Sequence, residues 1–111
     1  HAVGIKAPGG RILRTDPDAT FLECYSGGMR NAYDMVWTRN GDLFTYDSDM
    51  EWDVGTPWYR PTRVFQMLAG GDCGWRSGWS VWPEYYYDSI PGVADTGRGS
   101  PTGIATYNHV M

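Results

Sequence analysis

Four carboxylates alternate with other residues in the stretch YDSDMEWD, in which Asp47, Asp49, Glu51 and Asp53 take every second position. Alternate residues of a β-strand point to the same face, so on a strand this spacing would collect all four on one side. Carboxylates held that close raise each other's proton affinity unless a cation or an arginine lies among them. Calcium binds oxygen ligands with loose geometry. The stretch therefore predicts a calcium site, although its spacing is not that of an EF-hand.

A salt-bridge network is another explanation of the same stretch. Three arginines, Arg60, Arg63 and Arg76, follow it in the sequence and could neutralise the acids without a metal. A solvated acidic edge would need neither a metal nor an arginine. The sequence leaves these alternatives open.

Aromatic side chains crowd the same region and the residues after it, since the chain has 6 Trp and 8 Tyr. Aromatic rings stack on the apolar faces of sugar rings and commonly line ligand pockets. Trp58 and Tyr59, between Pro57 and Pro61, are the pair expected nearest to a ligand, with Trp75 as a third contact. Packing in the core is the alternative explanation for most of the aromatic residues.

Composition and charge argue against several classes of function. The net charge is −4 and the 9 Lys and Arg residues form no run, so the basic footprint of a nucleic-acid-binding protein is absent. The apolar runs are only a few residues long, far short of a membrane span. Cys24 and Cys73 are too few for a disulfide framework or a zinc site, and whether they are bonded to each other stays open.

Many glycines and prolines beside many aromatic residues favour an all-β fold with short strands. The strongest local signal is Asn40-Gly41, which predicts a hairpin from Asp34 to Tyr46. Residues 48–60 lack a sustained period and are expected to form a long loop of the kind that carries function.

Strands are predicted in the segments GGRILRT, TFLECYS, NAYDMVWT, DLFTYD and TRVFQML, with a helical turn as the alternative for the last. Glycine pairs are expected to interrupt this pattern at Gly27-Gly28 and Gly70-Gly71. After Trp75 the sequence predicts extended loops packed by aromatic residues and no further sheet.

Hairpins joined by turns and long loops suit a β-sandwich or a β-propeller. The motifs GRILRTDPD, GMRNAYD, NGDLFTYDSDMEWD and GGDCGWRSG resemble, in order and spacing, the soluble quinoprotein glucose/sorbosone dehydrogenase family of six-bladed β-propellers. The chain is also similar to propeller-containing dehydrogenase-like proteins of planctomycete-type bacteria. A propeller blade takes roughly 40 to 50 residues. Residues 1–111 are therefore expected to form one propeller segment of about two blades with long aromatic-rich loops, cut from a longer protein.

The resemblance implies a parent protein that oxidises a sugar or alcohol by passing a hydride to pyrroloquinoline quinone (PQQ). It carries over Arg30 and Asn31 as contacts of this cofactor, whose carboxylates an arginine can bind through two parallel hydrogen bonds. In the structural alternative, Arg30 pairs with a neighbouring acid and Asn31 holds its turn. The resemblance also implies calcium near the acidic stretch, although Thr62, Arg63 and Cys73 depart from the family's pattern there. A periplasmic or secreted location comes from the resemblance alone.

No residue matches the general base of that family, a histidine from an early blade. The chain has only His1, at its first position, and His109, in a segment that the family places late. Hydride abstraction needs a base within hydrogen-bond reach, so no catalytic residue is predicted and turnover by the chain alone is not expected. The rival hypothesis is a non-catalytic carbohydrate-binding or structural propeller module, in which copies of the chain associate through edge strands to close a ring.

Overall fold

The computed structural model describes residues 9–76 and 86–109, and these form the all-β fold that the sequence predicts. They divide into two compact units, each with its own sheet. The strands are β1 (Gly10–Thr15), β2 (Leu22–Met29), β3 (Met35–Trp37), β4 (Leu43–Asp47), β5 (Thr62–Met67), β6 (Gly71–Asp72) and β7 (Ala94–Gly97). A single turn of 3₁₀ helix spans Glu51–Asp53. No helix within the described residues is long and apolar enough to cross a membrane.

The first unit comprises the described parts of His1–Arg30 and Leu68–Pro91 and contains the sheet β1-β2-β6. β1 and β2 pair antiparallel, whereas β6 pairs parallel to β2. Asp16 closes the loop between β1 and β2, because its carboxylate accepts hydrogen bonds from the amides of Thr20 at 2.6 Å and Phe21 at 3.3 Å and from the Thr20 hydroxyl. These bonds, the Thr20 hydroxyl first, lower the pKa of Asp16 against the opposing effect of desolvation.

β2 continues through Gly27-Gly28, where the sequence predicted an interruption. Gly28 has φ +74°, and a Cβ on it would lie 2.1 Å from Asp72 Oδ1 and 2.8 Å from the Cys73 amide nitrogen. The amides of Cys73 and Trp75 donate to the carbonyls of Gly27 at 2.9 Å and Gly28 at 2.8 Å. The glycine pair therefore allows the segment after β6 to approach β2 closely, and this contact keeps the strand intact.

Asp72 is fixed in this contact by Arg76. The guanidinium donates to both carboxylate oxygens, at 3.0 and 2.7 Å, and the Gly74 amide adds a third bond at 2.7 Å. Partial burial raises the pKa of Asp72, but the bonds from Arg76 and Gly74 outweigh it and the net shift is downward. The charged carboxylate therefore stabilises the unit above the ordinary value of 3.8, and this contribution is lost as the pH falls through the lowered pKa.

The second unit comprises the described parts of Asn31–Met67 and Gly92–Met111, and its antiparallel sheet has the order β3-β4-β5-β7. The hairpin predicted around Asn40-Gly41 is confirmed as β3 and β4. Its turn has Thr38 and Asp42 at the base, with the Thr38 amide 2.9 Å from the Asp42 carbonyl, and Gly41 takes φ +88°. A three-residue turn that ends on a left-handed glycine is a common hairpin connection.

One face of the second sheet is buried. Its members pair in register across β4 and β5, Leu43 with Met67, Thr45 with Phe65 and Asp47 with Arg63. This face is apolar at the Leu43 end and charged at the Asp47 end, where the Arg63 guanidinium lies 4.7 Å from the centre of the Phe65 ring. Gly92 packs against the stem of Arg63, since a Cβ there would lie 3.0 Å from the Arg63 Cδ.

Two strands occur that the sequence did not predict. β6 has two residues and β7 is exposed along its whole length, so neither shows the alternation of apolar and polar residues that marks a strand. β7 pairs with β5 at the sheet edge, and the Thr96 hydroxyl donates to the Thr62 carbonyl at 3.1 Å. Residues 77–85, which include the aromatic residues Trp79, Trp82 and Tyr85, lie outside the described residues.

Replacing Gly28 by alanine should destabilise the first unit by about 3 kcal/mol or more, because a steric clash adds to the strain of a positive φ. Gly70→Ala is the matched control, since Gly70 is in the same unit at φ +73° and a Cβ there meets no described atom within 4 Å. It should cost about 1 kcal/mol. Urea unfolding measures both variants, and equal losses would contradict the close approach at Gly28.

Candidate functional site

Most residues with predicted functional roles lie at one end of the second unit's sheet. β4 ends at Asp47, and because β3 runs antiparallel to β4, residues 31–34 lie at the same end. The loop 48–61 leaves from this end and returns to it at Thr62, the first residue of β5. Residues 31–34 and 47–62 are called the acidic end below. It brings together Asn31, Asp47, Asp49, Glu51, Asp53, Trp58 and Tyr59.

Asp47 joins the turn at Asn31 to the end of β4. Its side chain is buried, and Oδ1 accepts hydrogen bonds from the Asn31 amide at 2.7 Å and the Ser48 amide at 3.0 Å. Arg63 lies directly opposite on β5, so the carboxylate has a positive charge as its cross-strand neighbour. Asp47 is thus engaged in holding the chain, while Asn31 is exposed.

Asp49 is the most deeply buried of the four acids, with 2% of its surface exposed. Its Oδ2 accepts a hydrogen bond from the Tyr59 hydroxyl at 2.7 Å, and its Oδ1 has no hydrogen-bond partner among the described residues. Donation to Asp49 raises the pKa of Tyr59, burial and the Asp49 charge raise it further, and Arg98 opposes them. The phenol stays protonated and can keep donating, so the bond between Asp49 and Tyr59, called the latch below, closes the loop.

Inside the latch the loop folds on itself through consecutive turns. The Asp53 amide donates to the Met50 carbonyl at 3.0 Å, and Thr56 bonds to the Asp53 carbonyl through its amide at 3.0 Å and its hydroxyl at 2.6 Å. Compact loops of about 6 to 16 residues with neighbouring ends are Ω-loops, which frequently carry function. This loop leaves Trp52 78% exposed and Trp58 56% exposed.

The alternation of the four acids does not continue as a strand. After Asp49 the chain turns into the 3₁₀ helix Glu51–Asp53, so the four acids do not share one strand face, in keeping with the loop predicted for residues 48–60. Within residues 9–76 and 86–109, no group of three Asp, Glu, His or Cys side chains is arranged to hold a metal ion. Among these four acids, the unpartnered Oδ1 of Asp49 is the feature that would suit a cation.

Two of the arginines proposed as partners of the acids, Arg63 and Arg76, lie in different units. Arg63 faces Asp47 across β4 and β5, whereas Arg76 belongs to the first unit and binds Asp72 there. Arg98, which has no predicted role, lies close enough to Tyr59 to oppose the rise in the pKa of its phenol. Arg98 directly follows β7, and since β7 carries no strand pattern, the sequence offered no signal to place it.

Two predicted contacts, Arg30 and Trp75, belong to the first unit. Arg30 directly follows Met29, the last residue of β2, and is half-buried. It already interacts with another group of the protein. Trp75 packs against Gly9, where a Cβ would lie 2.6 Å from the ring, and its Nε1 is buried without a partner in the described part of the chain. Cys24 and Cys73, whose pairing the sequence left open, are free thiols.

Comparisons of the chain with protein-family models, with curated proteins and with solved structures found no match.

Tyr59 should ionise only above pH 10, the ordinary tyrosine value, because its proton lies between the phenol and the Asp49 carboxylate. With its pKa raised in the folded state, the latch contributes fully below that pH and is lost as the pH rises through the raised value. Asp49→Asn removes the charge and should lower the pKa of Tyr59. Ultraviolet titration of phenolate formation measures the pKa of Tyr59 in the unchanged protein and in Asp49→Asn. Tyr59→Phe identifies which part of the signal belongs to Tyr59. Ionisation of Tyr59 below pH 10 in the unchanged protein would contradict the latch.

Proposed function

We propose that the chain is a segment of a quinoprotein sugar or alcohol dehydrogenase-like β-propeller, contributing contacts to PQQ and part of the rim around the substrate. One observation carries this: two predicted sites, separate in the sequence, meet at the acidic end. Asn31, a predicted cofactor contact, is bonded through its amide to Asp47, and the aromatic loop begins at the next residue. Oxidation of a substrate by a bound cofactor requires that both be held close together.

The sheet of the second unit has the architecture that a propeller blade would have. Blades are four-stranded antiparallel sheets, and the sheet order β3-β4-β5-β7 follows the direction of the chain, with β6 of the first unit between β5 and β7 in the sequence. The first unit, with a three-stranded mixed sheet, departs further from that pattern. The all-β fold with two sheets is observed, and its description as about two blades is part of the proposal.

Arg30 and Asn31 suit the role of cofactor contacts chemically. They are joined by a peptide bond, so their Cα atoms are about 3.8 Å apart. A guanidinium can donate two parallel hydrogen bonds to a PQQ carboxylate. Asn31 is exposed, so its side-chain amide can donate to a quinone or carboxylate oxygen. PQQ would supply the hydride acceptor, and these two residues would bind and orient it.

The described acids do not fit a self-contained calcium site. Asp47 accepts two backbone amides, Glu51 and Asp53 lie on the 3₁₀ turn, and Asp49 supplies one unpartnered oxygen. An anionic cofactor near the buried carboxylates of this end would be repelled, and a divalent cation would offset that repulsion. Calcium is therefore proposed to bind together with PQQ, with Asp49 as its ligand from this chain.

The acidic end contains no histidine that could act as a general base. His109 is exposed, with its ring centre 5.5 Å from that of Tyr107, and His1 lies outside the described residues. The proposed contribution of the chain is therefore binding and positioning, and turnover would need the remainder of a propeller. A periplasmic or secreted location is proposed from the resemblance alone.

A non-catalytic module is the second candidate. The exposed indoles of Trp52 and Trp58 favour carbohydrate binding without any chemistry. β3 and β7 are the edges of the second sheet, and β7 is exposed along its length, so copies of the chain could pair there to close a ring. This candidate predicts sugar binding without quinone binding.

Calorimetric titration of the full chain with PQQ, with and without calcium, tests the first proposal. We expect saturable binding that calcium strengthens. Arg30→Gln should weaken it by about tenfold to a hundredfold, since a hydrogen bond to a charged group contributes roughly 1.5–3 kcal/mol. Asn31→Ala should weaken it by about three- to tenfold, because its amide is a neutral donor and contributes less than a guanidinium.

Arg39→Gln is the matched control, because Arg39 is exposed in the hairpin turn at the opposite end of the sheet. It should leave the affinity for PQQ unchanged. Absence of saturable binding, or equal weakening in this variant, would overturn the cofactor assignment. Light scattering on the same samples tests the closed ring, which requires an oligomer.

A further inference from the structure

Tyr59, which the sequence places beside Trp58 as a ligand contact, makes a hydrogen bond within the protein instead. Its hydroxyl donates to the buried carboxylate of Asp49 at 2.7 Å. Trp52, six residues before Trp58 in the sequence, is instead the most exposed aromatic residue of the loop. The loop therefore presents two indoles to solvent and uses its phenol internally.

We propose that residues 49–59 form a preformed binding loop for neutral oligosaccharides, in which Trp52 and Trp58 stack on sugar rings and the latch holds the loop in its binding conformation. Tyr59 is then a positioning residue that acts through the two indoles. The proposal rests on the sugar ligand of the proposed function, but it does not depend on the quinone.

The latch has an energetic role because a mobile loop loses conformational entropy when it binds. Restricting a loop to its bound conformation beforehand removes that cost. Here the turns at Asp53 and Thr56 shape the interior of the loop, and the latch joins its two ends. Asp49 is 2% exposed, and its Oδ1 finds no partner among the described residues, so the Tyr59 hydroxyl is an important source of compensation for the buried carboxylate. Removing that hydroxyl should therefore open the loop.

The charge of the loop selects a neutral ligand. The loop 48–61 contains three acids and one arginine, Arg60, and Glu51 and Asp53 directly flank Trp52. Carboxylates accept hydrogen bonds from sugar hydroxyls but repel phosphates, uronates and anionic lipid surfaces. Arg98, near Tyr59, adds one positive charge without reversing this sign. The acids beside Trp52 also interrupt the continuous apolar patch that a membrane or protein partner would need.

Sugar binding by the full chain is measured first, in the absence of PQQ. The probes are maltopentaose and cellopentaose as neutral ligands and an oligogalacturonate as the anionic counterpart, followed by tryptophan fluorescence and calorimetry. We expect a neutral sugar to bind and the oligogalacturonate not to bind. Trp52→Ala and Trp58→Ala should each weaken binding by about three- to tenfold, the range expected for loss of one aromatic stacking contact.

Trp37→Ala is the matched control for the two indoles. Trp37 is 58% exposed, close to the 56% of Trp58, but it lies on β3 opposite Leu43, at the other end of the sheet. Its replacement should leave sugar binding unchanged. Failure of both neutral sugars to bind, preference for the oligogalacturonate, or equal weakening in Trp37→Ala would overturn the proposal.

The latch is tested by Tyr59→Phe, which removes the hydroxyl and keeps the ring. Sugar affinity should fall about tenfold, because the lost bond is to a charged acceptor. Amide hydrogen exchange should become faster in residues 50–58 and stay unchanged in β4 and β5, and saturating sugar should restore the protection. Asp49→Ala should have less effect in the Tyr59→Phe background than in the unchanged chain, because both variants remove the same bond.

Faster exchange throughout the sheet would mean that Tyr59 supports the whole unit. Weaker sugar binding with unchanged loop exchange would mean that its hydroxyl contacts the sugar directly. Either result overturns the positioning role. Since sugar binding is measured without quinone, loss of the PQQ result and loss of the loop result are distinguishable.

Discussion

Buried carboxylates at the end of β4 set the geometry of the acidic end. A carboxylate taken out of water needs hydrogen-bond donors or an opposite charge, because its desolvation is otherwise costly. Asp47 obtains the amides of Asn31 and Ser48, and Asp49 obtains the hydroxyl of Tyr59. The bonds from Asn31 and Tyr59 join the chain at the end of β4 to segments 16 and 10 residues away in the sequence. The hydrogen bonds made by these carboxylates therefore hold the Asn31 segment and the aromatic loop at one end of the sheet.

The first unit also contains a partly buried carboxylate that needs hydrogen-bond donors. Asp72 is partly buried beside Gly28, and Arg76 and the Gly74 amide satisfy it. This arrangement supports a close approach of the backbone at Gly28 to the segment after β6. In the second unit the buried acids lie directly before a loop with exposed indoles. That difference is why the proposed sugar-binding loop lies in the second unit.

Local patterns in the sequence predicted much of the fold. The Asn40-Gly41 turn and its two strands, the strand TRVFQML and the long loop after Asp47 are all present. The patterns failed at β6 and β7, which show no alternation of apolar and polar residues, and where a glycine serves a close contact instead of a turn, as at Gly28. Such features depend on neighbours that are distant in the sequence, and no local period reports them.

The acidic stretch shows the same limit within the site. On a strand, the regular spacing would have made the four carboxylates equivalent. The chain instead leaves the strand, buries Asp47 and Asp49 with hydrogen-bond partners and leaves Glu51 exposed. Composition identified the aromatic loop and the exposed Trp58, but the role of Tyr59 follows from a buried acceptor ten residues away. The sequence therefore identified which residues could contact a ligand, but it did not predict which of them would instead hold the loop.

Amide hydrogen exchange at Asn31, followed by NMR, tests most directly whether buried Asp47 fixes the turn to the sheet. Asn31 is exposed and lies outside every strand, so only its bond to a buried carboxylate gives a reason for protection. The account predicts that this amide exchanges about as slowly as those of β4 and becomes fast in Asp47→Ala. Exchange at the rate of an unstructured chain in the unchanged protein would contradict the account.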